Sequence, residues 1–228
     1  MESKRLPGKP LAKIGNKSMI QRVYEQTLKC NLLDKVVVAT DSIKIKKHVE
    51  HFGEVIMTSS KPSNGTERVY EAVKNIKHDY DYIINIQGDE PFINRSQIKT
   101  LINICDGSNQ ICTLIKKTTD KKEINKKSVI KVTVKKSNYA VLFSRKKIPS
   151  GHDNCFFYKH IGIYAFKKDI LEKITKLPKS NLEISESLEQ LRWLENNYKI
   201  KTAITDQDTF GIDTEIDLKN ANKLILDS

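Results

Sequence analysis

The sequence has few arginines, no closely spaced cysteine pair and no long apolar run. Of its 228 residues, 34 are lysine and only six are arginine. No apolar run approaches the roughly 20 residues that a membrane span requires. The four cysteines form no C-x-x-C pair, so neither a zinc site nor a disulfide framework is indicated, and reduced thiols of a cytoplasmic protein are predicted. A mean hydropathy of −0.49 is typical of a soluble globular protein.

The net charge of +12 is spread along the whole chain. Dispersed lysine without stacked aromatic residues predicts a solvated surface that weakly attracts small anions, and no nucleic-acid or membrane partner is expected. Against this lysine background, an arginine suggests a need for its planar, bidentate guanidinium group. Arg5, Arg68 and Arg145 all lie inside the motifs described below.

Short apolar runs alternate with helical patterns. Residues 36–40 and 82–86 are predicted strands, and apolar residues recur at helical spacing over 19–28, 69–76 and 98–105. This alternation predicts one α/β domain over residues 1–228, with a mostly parallel sheet flanked by helices.

The middle and the end of the chain depart from this rhythm. Residues 129–135 and 139–144 flank a Lys136-Ser137-Asn138 turn, which predicts an antiparallel hairpin inserted into the fold. Three further elements are expected: a strand at 161–166, a helix near 185–196 and, after a weak Thr214/Asp217 capping box, a last helix running toward Leu226.

The segment Asn85-Ile86-Gln87-Gly88-Asp89-Glu90-Pro91 closes the second predicted strand. Gly88 permits a sharp turn and Pro91 prevents a return to regular structure, so Asp89 is expected at the carboxyl end of a strand. An aspartate there suits Mg²⁺ that bridges to phosphates. A turn or helix-cap carboxylate is the alternative, and for this segment alone it is the more common one.

Three other segments carry similar chemistry. In Arg5-Leu6-Pro7-Gly8-Lys9-Pro10, stiffness, a glycine and two positive charges suit a polyphosphate, although an ordinary basic loop fits equally well. Asn64-Gly65-Thr66-Glu67-Arg68 opens a predicted helix, whose unpaired N–H groups can meet a nucleotide; a capped surface helix is the alternative. Gly211-Ile212-Asp213-Thr214 offers a second carboxylate that can converge with Asp89 on Mg²⁺, or a simple turn aspartate.

Seven segments, in order and over almost the whole chain, resemble the 3-deoxy-manno-octulosonate (KDO) cytidylyltransferase family: Arg5-Leu6-Pro7-Gly8-Lys9-Pro10, Asn64-Gly65-Thr66-Glu67-Arg68, Asn85-Ile86-Gln87-Gly88-Asp89-Glu90-Pro91, Leu142-Phe143-Ser144-Arg145, His160-Ile161-Gly162-Ile163-Tyr164, Leu188-Glu189-Gln190-Leu191-Arg192 and Gly211-Ile212-Asp213-Thr214. The resemblance implies a nucleotide-diphospho-sugar transferase (Rossmann-like) fold. It also implies transfer of CMP from CTP to KDO for lipopolysaccharide biosynthesis, with release of pyrophosphate, Mg²⁺ as cofactor and a homodimer.

The resemblance also implies roles for individual residues. Lys9 would hold the departing phosphates, and Asp89 and Asp213 would bind Mg²⁺. The nucleotide would be contacted by Arg5, Lys9, Asn64, Gly65, Thr66, Arg68 and Asp89. The sugar acid would be contacted by Gln87, Arg145, His160, Tyr164, Glu189 and Gln190, with Arg145 as a bidentate partner of its carboxylate.

Two departures from the family pattern accompany the resemblance. Asn64 stands where the family usually has a serine, and the apolar strand with which family members begin does not precede Arg5. We therefore expect Met1 to be an internal methionine of a longer natural chain. Three alternatives to KDO transfer stay open: a cytidylyltransferase for another acidic sugar such as amino-KDO or sialic acid, a non-catalytic nucleotide-binding relic, and a basic nucleic-acid binder.

Overall fold

The computed structural model describes residues 6–150 and 156–226, and these divide into two compact units. The first unit comprises residues 6–79, 86–99 and 209–226, and the second comprises 80–85, 100–150 and 156–208. In chain order the elements are a 3-10 turn Lys9–Leu11, β1 Lys13–Ile14, β2 Lys17–Ser18, α1 Met19–Leu28, β3 Val38–Thr40, α2 Ile43–Val49, β4 Val55–Met57, α3 Gly65–Lys74, β5 Tyr82–Asn85, α4 Arg95–Ile102, β6 Ile111–Thr118, α5 Lys121–Asn125, β7 Lys131–Val134, β8 Ala140–Ser144, β9 Phe157–Lys167, α6 Lys168–Thr175, α7 Asn181–Glu186, α8 Glu189–Glu195, β10 Ile200–Ile204 and α9 Glu215–Leu226.

The first unit contains the parallel pair β3–β4 and the helices α1, α2, α3 and α9. Helix α1 begins at Met19 because the Ser18 hydroxyl accepts a hydrogen bond from the Gln21 N–H, and the helix buries the apolar face that its spacing predicts. Two apolar clusters form around it: Ile20, Tyr24, Val38 and Val49 in one, and Leu6, Ile14, Met19, Ile212 and Ala221 in the other. The second cluster packs the start of α1 against the segments that carry Lys9 and Asp213.

The second unit is built on a six-stranded sheet in the order β10-β6-β9-β7-β8, with β5 also paired to β9. The eleven-residue strand β9 runs antiparallel to β5, β6 and β7, and among the described residues the β10–β6 pair is the one parallel pair of this sheet. The α/β class is confirmed, but the strand directions are mixed rather than mostly parallel. An apolar run reports burial on both faces, and it carries no information on the direction of its partner strand. The prediction that β5 is a parallel strand is therefore wrong: β5 runs antiparallel to β9.

Most of the predicted elements are present. The hairpin is confirmed as β7–β8. The capping box of the last helix is also present: the Thr214 N–H and hydroxyl donate to the Asp217 carboxylate, and the backbone N–H of Asp217 donates to the Thr214 hydroxyl. The single helix predicted near 185–196 is wrong. It is two helices, α7 and α8, because Ser187 takes a left-handed conformation with φ 52° between them. No helix in the described part of the chain is both long and apolar enough to cross a membrane.

Candidate active site

The first unit brings Lys9, Asp89 and Asp213 into direct contact. Gly8, at φ 67° in the left-handed region that favours glycine, leads the chain into the turn that begins with Lys9. The N–H of Ile212 donates to the carbonyl of Asp89 at 2.9 Å, so the two acidic segments are joined through their backbones. Both carboxylates therefore face one position, although Asp213 lies 124 positions after Asp89 in the sequence.

The Lys9 ammonium occupies that position. Its Nζ donates to Asp89 Oδ2 at 2.6 Å and to Asp213 Oδ1 at 2.9 Å, and its side chain is only 12% exposed. Burial lowers the Lys9 pKa, but hydrogen bonds and charges from Asp89 and Asp213 outweigh burial and hold the pKa above its ordinary value. The site thus consists of two carboxylates that share one cation.

This arrangement fits Mg²⁺. Both carboxylates are part-exposed, at 33% for Asp89 and 53% for Asp213, so both are accessible to an ion from solvent. Among residues 6–150 and 156–226, no group of three or more potential metal ligands exists. A site with two carboxylates is what Mg²⁺ commonly uses, because substrate phosphates and water complete its octahedral shell.

The predicted nucleotide loop lies at the start of α3. Asn64 caps this helix by accepting a hydrogen bond from the Glu67 N–H at 2.8 Å, Thr66 is buried and Gly65 is exposed. The guanidinium of Arg68 binds its own chain, donating to Thr58 Oγ1 at 2.6 Å and to Asp41 Oδ2 at 2.8 Å. Asp41, which sequence reasoning did not assign, thus fixes the arginine. Burial raises the Asp41 pKa, yet the charge and hydrogen bonds of Arg68 more than offset this and leave the pKa lowered.

Gln87, predicted to contact the sugar acid, makes none of the contacts described above. Gln87 is exposed in the turn before Asp89, where its carbonyl accepts from the Glu90 N–H. Arg5 lies outside the described residues.

The second unit contains the residues predicted to bind the sugar acid. His160 and Tyr164 lie on β9, on either side of an irregularity in the pairing of β9 with β6. Such bulges redirect side chains, and they are common beside functional sites. The two rings are 5.2 Å apart, and Trp193 of α8 lies 5.2 Å from Tyr164 on another side.

The hydrogen bonds of Thr113 determine which ring nitrogen of His160 carries the proton. The Thr113 hydroxyl lies 2.7 Å from the Ile163 carbonyl, which takes its single proton, so this hydroxyl can only accept from His160 Nε2 at 3.0 Å. His160 is therefore protonated on Nε2, and Nδ1 is left as an acceptor. Burial lowers the His160 pKa to about 3, which keeps the ring neutral. Sequence reasoning missed Thr113, because nothing in the spacing of β6 and β9 links it to His160.

Five buried polar atoms in this region form no hydrogen bond within the described part of the chain: His160 Nδ1, the Tyr164 hydroxyl, Gln190 Nε2, Arg192 Nε and Trp193 Nε1. An unsatisfied buried donor or acceptor is costly, and several together indicate a site that a polar ligand completes. Burial, followed by the nearby Glu189 charge, raises the Tyr164 pKa, so its phenol stays protonated. The group therefore offers both donors and acceptors.

Arg145 is held by the junction between α7 and α8. Its guanidinium donates to the carbonyls of Lys127 at 3.2 Å, Glu186 at 2.8 Å and Ser187 at 3.2 Å. Its own N–H donates to the Glu186 carboxylate at 3.0 Å. These bonds use three of the five guanidinium N–H donors, so they give Arg145 a structural task beside the predicted contact with a carboxylate.

Comparisons with known proteins agree with the family resemblance of the sequence. Residues 1–200 match the family model described as Cytidylyltransferase. A curated 3-deoxy-manno-octulosonate cytidylyltransferase from Parabacteroides distasonis is 50% identical over 235 residues, covering 96% of this chain and 92% of the relative. An 8-amino-3,8-dideoxy-manno-octulosonate cytidylyltransferase from Shewanella pealeana is 42% identical over 224 residues, covering 95% and 91%.

The fold agrees as well. A solved CMP:2-keto-3-deoxy-manno-octonic acid synthetase complexed with CTP superposes with a TM-score of 0.93 at 36% identity, covering 99% of this chain and 94% of that chain. The expected nucleotide-diphospho-sugar transferase fold is thereby confirmed, and more distant nucleotidyltransferases share it. The chain belongs to the cytidylyltransferase family and, within it, to the 3-deoxy-manno-octulosonate cytidylyltransferases.

Proposed function

We propose that this enzyme transfers CMP from CTP to KDO and releases pyrophosphate, with Mg²⁺ as its cofactor. The observation that carries the proposal is the convergence of Asp89 and Asp213 on one cation, the Lys9 ammonium. The name of the Parabacteroides distasonis relative indicates KDO as the sugar acid, and the solved relative complexed with CTP indicates the nucleotide.

The reaction is an in-line displacement at the α-phosphate of CTP. The oxygen of the KDO anomeric hydroxyl forms a bond to the α-phosphorus, the bond to the bridging oxygen of the β-phosphate breaks, and the hydroxyl proton leaves to solvent. Such a reaction depends on positioning and charge neutralisation more than on covalent help from the protein. Lys9 provides a positive charge for the departing pyrophosphate.

Asp89 and Asp213 would hold the metal. A metal held there would neutralise phosphate charge and orient the phosphates for attack. The Lys9 ammonium binds the two carboxylates that would hold the metal, so we propose that the Lys9 side chain moves from these carboxylates to the phosphates of CTP when the nucleotide binds.

The unsatisfied polar atoms of the second unit suit a polyhydroxylated sugar acid. His160 Nδ1 accepts from a hydroxyl, while the Tyr164 hydroxyl and Gln190 Nε2 donate to sugar oxygens. Within the described residues, Arg145 keeps two N–H donors that its three carbonyl bonds do not use, and these serve the sugar carboxylate. Glu189 completes the set as an acceptor for hydroxyl protons.

We further propose contacts for the cytidine and an assembly. The α3 loop that includes Asn64, Gly65 and Thr66 would line the base, with Arg5 and Arg68 near the nucleotide.

The protein would act as a homodimer, which light scattering should report as twice the chain mass of 26.2 kDa.

The second candidate function is transfer to the 8-amino analogue of KDO. It is favoured by the Shewanella pealeana relative, which is named for that substrate and is 42% identical to this chain, whereas the Parabacteroides distasonis relative named for KDO is 50% identical. A sialic acid remains a third acceptor to be tested.

The test is pyrophosphate release from CTP and Mg²⁺ with KDO, 8-amino-KDO or sialic acid as the acceptor, each with and without EDTA. We expect metal-dependent release with KDO at the highest kcat/KM. A higher kcat/KM with either other acid would replace KDO as the substrate. No release with any acid, together with measurable CTP binding, would instead identify a non-catalytic nucleotide-binding protein.

A further inference from the structure

Arg192 is a buried charge that the proposed chemistry does not use. It lies on α8, one helical turn after Glu189, and is 2% exposed. A guanidinium removed from water needs compensating charges and acceptors. Arg192 makes two hydrogen bonds and one further ion-pair contact. Nη1 donates to the Leu177 carbonyl at 2.8 Å and Nη2 donates to Glu189 Oε1 at 3.1 Å, while Nε lies 3.1 Å from Glu183 Oε2 without forming a hydrogen bond among the described residues.

The two carboxylates are not equivalent. Glu183 has a side chain that is 10% exposed, and its carboxylate also accepts from the Ser180 N–H in the capping box of α7. Glu183 is therefore fixed, and it neutralises Arg192. Glu189 is more open, at 23%, and it brings a second negative charge to the same guanidinium.

Glu189 lies on α8, the helix that also carries Gln190 and Trp193, two residues with unsatisfied buried nitrogens. Its charge acts on the buried Tyr164 phenol, and the next residue, Gln190, has a buried amide nitrogen without a partner among the described residues. Sugar hydroxyls need an acceptor of fixed direction here, whereas the carboxylate of a free glutamate samples several rotamers.

From these contacts we infer that Arg192 is a positioning residue, which holds the Glu189 carboxylate in the orientation that accepts hydroxyl groups of the sugar acid. The inference rests on the proposed function. Arg192 does not touch the substrate. Its planar fork reaches Glu183 and Glu189 together, which a lysine ammonium on a flexible stem does not reproduce.

The decisive variant is Arg192→Lys, since Arg192→Ala would leave the buried Glu183 and the part-exposed Glu189 without their shared cation and endanger folding. We expect Arg192→Lys to raise the KM for KDO roughly 10-fold to 100-fold, the loss expected for one charged hydrogen bond, while the KM for CTP changes less than about twofold. Arg95→Lys, at an exposed position on α4, is the matched control and should change neither KM.

A double variant separates positioning from general stability. If Arg192 acts through Glu189, then Arg192→Lys should have almost no further effect on the KDO KM in a Glu189→Gln background. An undiminished effect in that background, or equal effects on the KM values for KDO and CTP, would overturn the inference.

Two further measurements distinguish failure of the positioning role of Arg192 from failure of the proposed function. Trp193, the single tryptophan, packs on Tyr164, so its fluorescence should report KDO binding without turnover, and Arg192→Lys should weaken that binding. Urea unfolding of both single variants and the double variant measures the coupling of Arg192 and Glu189 without any substrate. Absence of coupling would refute the positioning role even in an inactive enzyme, whereas coupling in a protein that ignores KDO would refute only the choice of substrate.

Discussion

At the residue scale, the scarce arginines were a useful signal, but the sequence did not reveal their partners. Arg68, Arg145 and Arg192 each bind several groups of the protein itself, as the planar fork predicts. The scarcity of arginine drew attention to Arg68 and Arg145, but not to Arg192. Their acceptors are mostly backbone carbonyls and distant carboxylates, which only the folded chain brings within reach.

Lys9 is predicted to compete with divalent metal in the absence of nucleotide. Lys9→Met removes the ammonium from between Asp89 and Asp213 and leaves two facing carboxylates, so Mg²⁺ should bind about tenfold more tightly without CTP, a change of ~1.4 kcal/mol. Turnover should nevertheless fall, because pyrophosphate loses its positive partner. Calorimetric titration with Mg²⁺ measures the first effect, with the exposed Lys44→Met as control. Unchanged Mg²⁺ affinity would contradict the shared-cation account.

His160 is predicted to make the protein sensitive to acid. Its pKa is lowered by burial from 6.5 to about 3, so between these values the unfolded chain binds a proton that the folded protein does not. The stability that neutral His160 contributes is therefore lost as pH falls below about 6.5, by about 2 kcal/mol at pH 5.

The test is urea unfolding at pH 7 and pH 5. His160→Gln should reduce the loss of unfolding free energy between the two pH values by about 2 kcal/mol. His51→Gln, at an exposed position, should keep the wild-type loss. An identical pH dependence in wild type and His160→Gln would show that His160 is not kept neutral by burial.

At the scale of elements, the helices of the first unit followed local rules. Ser18 caps α1 and Asn64 caps α3, and the apolar spacing placed α1 at its observed bounds. The break between α7 and α8 escaped prediction, because Ser187 is not a residue that usually adopts a positive φ. Tertiary bonds explain it: the carbonyls of Glu186 and Ser187 accept from Arg145, which holds the turn in place.

The same substitution is predicted to have opposite effects two residues apart. Ser187→Gly should raise the unfolding free energy by roughly 0.5–1 kcal/mol, because glycine adopts φ 52° without the steric cost that serine bears. Ser185→Gly, inside α7, should lower it by about 0.5 kcal/mol, because glycine is a poorer helix former. Thermal and urea unfolding compare the two variants. A destabilising Ser187→Gly would mean that the left-handed turn is not strained.

At the scale of the whole molecule, motif order was more informative than periodicity. Apolar runs predicted that strands exist, but they did not predict that β9 would run against three neighbours, since strand direction is set by long-range pairing. Lys9 contacts both Asp89 and Asp213, which was not anticipated, and the binding of Mg²⁺ by these two carboxylates stays a prediction. The single domain, the homodimer and the substrate contacts of individual residues stay predictions.

The most direct test of the central claim is the rate of pyrophosphate release from CTP and KDO at increasing Mg²⁺ for Asp89→Asn and Asp213→Asn. Each variant should keep its fold, because both side chains are part-exposed, and each should lose roughly 100-fold or more in kcat. Asp34→Asn, at an exposed position outside the site, should match wild type. A wild-type rate at saturating Mg²⁺ in either Asp89→Asn or Asp213→Asn would contradict the claim that these two carboxylates hold the catalytic cation.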